Sequence, residues 1–382
     1  MKILMVAIPN HHFFQWVDQL KGSGYEIYWF DITDGGPIVE RIDWIKQFKG
    51  WKLRWDFPFR TRIKNNLPRL YRFIQKYNER KISSVFSKIL ENVNPDIVHC
   101  FEMKLSGLPI LSVMKQNSIP LIYSSWGSDM FNFEHMHVTK KEVNSFLNRT
   151  NYLVTDCKRD HEIALKNGFN GDFLGVYPGN GGIDINNSVI LPYNKRNVIL
   201  IKGYDDGVGK ASKVLEALSM VTQKSLKGKK IVIYSADDSL ANQIKDSKIL
   251  SSLPIKIHSR YAFILNKTLM DIMSKSCIHI ANSLSDGMPN SLLEAMAMGA
   301  FPIQSNPGRV TEEVIIDNKN GLLITEPLNA NQIANLIEKA LKDEKLRKEA
   351  QKYNHELMQI HYNRTTLQPI IVNLYKNVKD RS

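Results

Sequence analysis

Little in this 382-residue sequence could crosslink or anchor it. Its three cysteines, Cys100, Cys157 and Cys277, are far apart and odd in number. That leaves no disulfide framework and no cysteine-based metal site, and it suits a reducing cytoplasm. No apolar run approaches the roughly 18 residues that a membrane-spanning helix needs. The apolar start, MKILMVAIPNHHFF, is short and has no cleavage pattern, so it reads as a buried strand rather than a signal peptide. Carboxylates are also short, 38 Asp and Glu against 51 Lys and Arg, for a net charge of +13. Such an excess favours an anionic partner: a nucleotide, a nucleic acid or an anionic membrane. Nucleic acid is set aside, because no zinc pattern, RNA-recognition signature or basic helix is present. There is no internal repeat or low-complexity tract. What remains is an ordinary globular composition, long enough for two domains.

The most informative stretch is Ser283–Asn306, SLSDGMPNSLLEAMAMGAFPIQSN. Before it, Cys277–Ala281 is a short apolar run suited to a buried strand. A polar turn with Gly287 and Pro289 follows. Ser291 reads as an N-cap, and Glu294 three residues on has the capping-box spacing. Leu292, Leu293, Ala295, Met296 and Ala297 favour helix, and Gly299 is placed to stop it. Phe301, Pro302 and Ile303 begin another strand. Strand, turn, helix and strand make one unit of a parallel α/β sheet. A glycine-bearing turn that runs into a helix start presents free amides and a positive dipole end, a setting that binds phosphates. Asp286 and Glu294 flank this turn, where both can accept hydrogen bonds from sugar hydroxyls.

DGMPNSLLEAMAMG resembles the E-x7-E signature of the GT-B retaining glycosyltransferases of family 4, the group 1 glycosyl transferases, which usually runs E-G-F-x-x-x-x-x-E-A-M-A-x-G. The resemblance implies that Glu294 holds the ribose of a sugar nucleotide. It places Asp286, shorter than the family's glutamate, beside the donor sugar, where it bears on which sugar is held. Gly287, Met288, Pro289, Asn290 and Ser291 become the donor-binding turn. Taken alone, the two acids also read as a helix cap and a turn residue; the whole 24-residue pattern favours the family.

The resemblance continues in order along the chain. Lys2–Ile8 reads as a strand, Pro9–His12 as a turn, Phe13–Lys21 as a helix and Tyr25–Phe30 as the next strand. The turn lies where ligands bind in such sheets. His11 and His12 stand there in place of the family's glycines, either as contacts to donor or acceptor or as solvated turn residues. Leu67–Leu90 reads as one helix. Asn94–His99 resembles the family's P-D-I-V-H strand. Trp126, Gly127, Ser128 and Asp129 stand where the family has H-G-x-D. A tryptophan can stack on a sugar but cannot accept a proton, so no acid–base role falls to Trp126. Asp129 keeps the family's aspartate, as a cleft residue or a cap. Val176–Asp184 resembles the family's N-G-I-D segment, and Asn186–Arg196 reads as a linker.

After a strand at Asn197–Lys202, GYDDGVGK stands where the family has G-R-x-x-x-x-K, whose Arg and Lys grip the diphosphate. It is not a P-loop. Lys210 takes the lysine's place. Tyr204 occupies the arginine's, leaving Lys202 or Arg260 to compensate. Tyr261, Ala262 and Phe263, just past a strand at Ile255–His258, are the implied base contacts. A helix is expected over Val310–Ile316, more over Asn329–His361, and a terminal one over Thr365–Val378.

The architecture implied is α/β and GT-B: two Rossmann-like domains facing each other across a nucleotide-sugar cleft. Residues 1–190 form the acceptor domain, 191–364 the donor domain and 365–382 a helix crossing back. The implied reaction moves a sugar, with a UDP-sugar favoured, to a glycan or polyprenyl-linked acceptor in bacterial surface polysaccharide synthesis. It proceeds with retention and without a metal or other cofactor. Asp286 and Lys210 are the catalytic candidates, and the leaving phosphate takes the acceptor proton. Stabilising the departing diphosphate is an electrostatic task. A GT-B epimerase or phosphorylase is the rival enzyme. Between Arg41 and Lys88, Lys and Arg far outnumber carboxylates and interleave with Trp44, Trp51, Trp55, Phe57 and Phe59. That mixture suits an anionic membrane surface, peripheral on the inner face; a solvated face over core aromatics is equally open.

Overall fold

Short apolar runs become strands covered on both faces, which is what a parallel sheet requires. The computed structural model describes residues 1–185, 190–262 and 264–381. Contacts divide the chain into two units. One comprises Met1–Asp156, Asp160–Gly181 and Gln368–Ser382; the other comprises Cys157–Arg159 and Gly182–Leu367. Part of the segment read as a linker, residues 186–189, and the implied base contact Phe263 lie outside the described residues.

The first unit holds β1 (Lys2–Ala7), β2 (Glu26–Asp31), β3 (Lys46–Phe48), β4 (Ile97–Phe101), β5 (Leu121–Ser124), β6 (Tyr152–Thr155) and β7 (Asp172–Val176). They pair in parallel in the order β3-β2-β1-β4-β5-β6-β7. The chain builds outward from β1 to β3, then returns to β1's other side with β4. The carboxyl ends of β1 and β4 therefore form a switch point, the crevice where ligands bind in open α/β sheets. The chain's last segment contributes to this core: the hydroxyl of buried Tyr375 accepts from Trp16 Nε1 at 2.8 Å and lies 2.8 Å from His99 Nδ1.

The second unit holds β8 (Val198–Lys202), β9 (Lys230–Ala236), β10 (Ile255–Ser259), β11 (Ser276–Ala281), β12 (Phe301–Ser305) and β13 (Leu322–Ile324). Their order is β10-β9-β8-β11-β12-β13, again all parallel. Here the switch point lies between β8 and β11. Ile199, Ile201, Ile278, Ile280, Ile303 and Leu322 join the core on one face of this sheet. Leu200, Leu292, Leu293 and Met296 pack on the other.

Two expected helices are corrected. Leu67–Leu90 is not one helix but two, Pro68–Asn78 and Ile82–Val93. The break is made by tertiary bonds. Buried Asn78 accepts from the amides of Arg54 (3.1 Å) and Trp55 (2.9 Å) and donates to Trp55 O (2.8 Å), while Arg80 N donates to Lys52 O. No helix spans Val310–Ile316 either; two short 3₁₀ turns, Pro307–Arg309 and Thr311–Glu313, stand there. Buried Asn320 takes over the backbone groups a helix would have used, accepting from Ile316 N and donating to Val314 O.

Candidate active site

In the second unit the loops after β8 and β11 are joined to each other. Lys210 N donates to Asn282 O at 2.9 Å, Leu284 N donates to Val208 O at 3.0 Å, and Gly209 bridges Ser283. A Cβ on Gly209 would lie 2.4 Å from Tyr204 O, so this junction requires glycine. The pairing brings Lys210 alongside the segment that carries Asp286.

In the loop Gly203–Lys210 the amides of Gly203, Asp205, Val208, Gly209 and Lys210 are already spent within the protein. Asp205 N donates to Asp237, Val208 N and Gly209 N donate to the Asp206 carboxylate, and Ala211 N donates to Tyr204 O. Asp205 in turn accepts from Ser212 N and Oγ at the next helix start. Side chains bring full positive charge to this loop. Lys202, the last residue of β8, places Nζ 3.9 Å from Asp286 Oδ2, with about a fifth of its side chain exposed. Lys210 is half-buried, and its Nζ has no ion-pair or hydrogen-bond partner among the described residues.

Tyr204, in the place of the family's arginine, is a platform for two cations. Lys202 Nζ lies 4.8 Å and Arg260 Cζ 4.3 Å from its ring centroid. Such cation–π contacts orient a charge without neutralising it. The two cations differ in what else holds them. Arg260 is bound to Asp237 at 3.0 Å and Asp206 at 3.1 Å, and Asp237 first and foremost raises its pKa. Two carboxylates thus cancel its charge locally. Among the described residues, Lys202 pairs with one carboxylate, Asp286, at the longer distance of 3.9 Å.

Asp286 begins the turn after β11. Burial pushes its pKa up; Lys202, the Gly287 amide and Arg159 oppose this. Arg159 donates to Asp286 O and to Pro307 O, both at 2.9 Å, and so fixes the turn's path. With Gly287's amide on Asp286 and no N–H on Pro289, the segment's other amides are those of Met288, Asn290 and Ser291. Ser291 is not the N-cap, and there is no capping box. The helix is Asn290–Ala297, capped by Pro289 without a side-chain bond. Pro289 is extended (φ −69°, ψ 116°), and its carbonyl takes Leu292 N and Leu293 N, so the helix begins earlier and Ser291 falls inside its first turn. Gly299 does follow the helix in the left-handed region, φ +79°.

Glu294 therefore has no capping duty. Asn266 Nδ2 donates to its Oε1 at 3.2 Å. Burial pushes its pKa up to about 7, against Asn266, Lys202 and Arg364. Beneath the site, Tyr234 OH lies 2.9 Å from His279 Nε2, and burial holds that histidine neutral, with a pKa near 3. Tyr261 and Ala262, at the end of β10, spend their amides on Ser259, and Tyr261 is largely exposed.

In the first unit, His11 and His12 open the helix His11–Asp18, whose N-cap Asn10 accepts from His12 N at 2.7 Å. They are helix-start residues rather than turn residues. The ring of His12 meets Trp126 edge-on at 6.4 Å, so the ends of β1 and β5 are brought together. Asp129 is buried and fully engaged: it accepts from Trp126 N (2.9 Å), Met103 N (2.8 Å) and Tyr123 OH (2.6 Å). It positions the Trp126 loop from within. Beside it is a carboxylate that the sequence did not single out, buried Glu102, with φ +68°. Burial first, then Asp129, push its pKa to about 8. Arg159, Asp237, Asn266 and Tyr234 were also missed. Of these, only Asp237 carried a signal, a carboxylate just past the carboxyl end of an apolar strand.

Two parallel α/β sheets, each with a switch point at its strand ends, are the architecture found in GT-B transferases. Residues 183–357 match the family described as Glycosyl transferases group 1, and residues 2–156 match Glycosyl transferase 4-like. The chain is a group 1 glycosyltransferase of GT-B fold, resembling family 4. Its structure is similar to that of sucrose-phosphate synthase from Thermosynechococcus elongatus, with TM-score 0.74, 13% identity and all of both chains covered. A glycosyltransferase from Rickettsia africae gives TM-score 0.69 at 17% identity, over 100% of this chain and 99% of that one. HepE of Anabaena, solved with UDP and glucose, gives 0.67 at 13%, over 99% and 100%. No curated protein sequence matches.

Proposed function

We propose that this glycosyltransferase moves a sugar from a UDP-sugar to a glycan hydroxyl with retention of configuration, and that the acceptor is a lipid-linked surface glycan met at the inner face of a bacterial membrane. The observation that carries the reading is the joining of the loops after β8 and β11, which sets Lys202 Nζ 3.9 Å from Asp286, ties the Lys210 backbone to Asn282, and has Glu294 in the helix that follows. Uridine is favoured because similar folds were solved with it: Anabaena HepE with UDP-glucose, and Staphylococcus aureus TarM with UDP and alpha-GlcNAc-glycerol. A lipopolysaccharide outer core galactosyltransferase, WaaB, also shares the fold, at TM-score 0.68.

The chemistry follows from the charges. As the sugar–phosphate bond breaks, negative charge gathers on the diphosphate, and fixed cations stabilise it most where water is scarce. Lys202 and Lys210 supply that charge, together with the first-turn amides of the helix Asn290–Ala297. Lys202, rather than Arg260, stands in for the absent arginine. Glu294 accepts from ribose hydroxyls. Asp286 faces the sugar and keeps Lys202 in place. The leaving phosphate takes the proton of the incoming hydroxyl, on the same face it departs from.

Asp286→Asn tests the site. A charge-assisted hydrogen bond contributes roughly 1.5–3 kcal/mol, so turnover should fall by about tenfold or more while UDP affinity barely changes. Equal losses in turnover and UDP affinity would put Asp286 on the nucleotide or in support of the fold.

A further inference from the structure

The feature of the first unit that sugar transfer leaves unused is the helix pair Arg60–Asn66 and Pro68–Asn78. From Arg60 to Asn78 the chain carries Arg60, Arg62, Lys64, Arg69, Arg72 and Lys76, and no carboxylate. The first helix buries no residue, and the second buries only Gln75 and Asn78. Leu70, Phe73 and Tyr77 follow an i, i+3, i+7 spacing, so they share one helix face. That face points outward: Phe73 is 63% and Tyr77 58% exposed, and their rings meet at 5.4 Å. Arg69, Arg72 and Lys76 repeat the spacing one position earlier and lie alongside as a basic stripe. Phe59, Leu67 and Trp55 add exposed apolar surface nearby.

A surface helix ordinarily turns its apolar stripe to the core. This one cannot roll to do so, because Asn78 at its end is pinned by the backbone of Arg54 and Trp55. An apolar stripe flanked by cations is what an interfacial helix presents to lipid. We propose that this face seats on an anionic membrane, with Leu70, Phe73 and Tyr77 at the acyl boundary and the basic stripe against the headgroups. A run of six cations without a carboxylate would repel a second copy of the same face, and it is complementary to an anionic bilayer. The surface is narrower than the aromatic-rich stretch suggests. Trp51 belongs to the core and donates to Asp31 O, and Trp44 is half-buried. The proposal gives the lipid-linked acceptor reading its docking surface but does not depend on it for evidence.

The test is co-sedimentation of the full chain with phosphatidylcholine vesicles, with and without phosphatidylglycerol, at low and high salt. The wild type should pellet only with anionic vesicles, and less at high salt. Phe73→Ser with Tyr77→Ser should abolish pelleting. Arg69→Ser, Arg72→Ser and Lys76→Ser together should weaken it about a hundredfold, at about 1 kcal/mol per basic residue. These side chains are exposed, so melting temperature and UDP affinity should hold in both variants. Wild type left in the supernatant at low salt overturns the proposal. So does binding that neither variant weakens, or a concentration-dependent dimer that Phe73→Ser with Tyr77→Ser abolishes. The vesicles carry no glycan, so a wrong acceptor would leave this result standing, and failure here would leave donor binding standing.

Discussion

Lys202→Ala should lower turnover by on the order of 10²–10³-fold, the loss typical of removing one preorganised group from a site of developing negative charge. Lys210→Ala should do the same. Arg260→Gln should lower it less than about tenfold, by contrast with those losses. The difference rests on what each cation already holds. Arg260 is committed to Asp237 and Asp206 and carries little net charge into the site. Lys202 is held over the Tyr204 ring and has one longer contact, 3.9 Å, to Asp286. Steady-state rates with a UDP-sugar, beside thermal melts of each variant, measure it. If Arg260→Gln falls as far as Lys202→Ala while remaining folded, Arg260 is the second diphosphate cation, and the Tyr204 platform serves it instead.

Glu294→Gln should weaken donor binding by tens-fold at pH 8, through loss of a charge-assisted bond contributing roughly 1.5–3 kcal/mol. It should not weaken the fold. Burial holds Glu294 near pKa 7, above its ordinary 4.5, so its ionised form is disfavoured in the folded protein. The sign follows by linkage: stability is full below the unfolded value and is lost as pH rises through about 7. At pH 8 the wild type bears this penalty, and glutamine removes it. The variant should therefore melt at the same temperature or higher. Wild-type affinity for a UDP-sugar should rise between about pH 6 and 8 as Glu294 ionises, since the donor's own diphosphate does not titrate there. The glutamine variant should show a flat profile. Calorimetry across that range reads both; a flat wild-type profile would remove Glu294 from the ribose.

These expectations rest on a site that was only partly legible in the sequence. The turn and helix after β11 could be read because apolar strand residues, Gly287 and Gly299 each act locally. The helix start was misread because Pro289 sets the boundary through its own extended backbone, one signal that outranks Ser291's capping preference. The helix break after Asn78 was invisible because its cause lies over twenty residues upstream, in the amides of Arg54 and Trp55. β3 carries Lys-Gln-Phe at the sheet edge, too short and too polar to show a pattern. Arg159, Asn266 and Asp237 reach the site from other elements, so no spacing rule connects them to Asp286 or Glu294. The choice between Lys202 and Arg260 was likewise closed to sequence, since it turns on which cation meets two carboxylates in space.

The role proposed for the ends of β8 and β11 is to hold and activate a nucleotide sugar. Incubating the purified chain with UDP-, GDP- and ADP-sugars, while following the released sugar by NMR, tests it most directly. The expected result is slow hydrolysis of a UDP-sugar, release of the anomer that the donor carried, and loss of both in Lys202→Ala. Hydrolysis with inverted configuration, or no consumption and no binding of any nucleotide sugar, would contradict it.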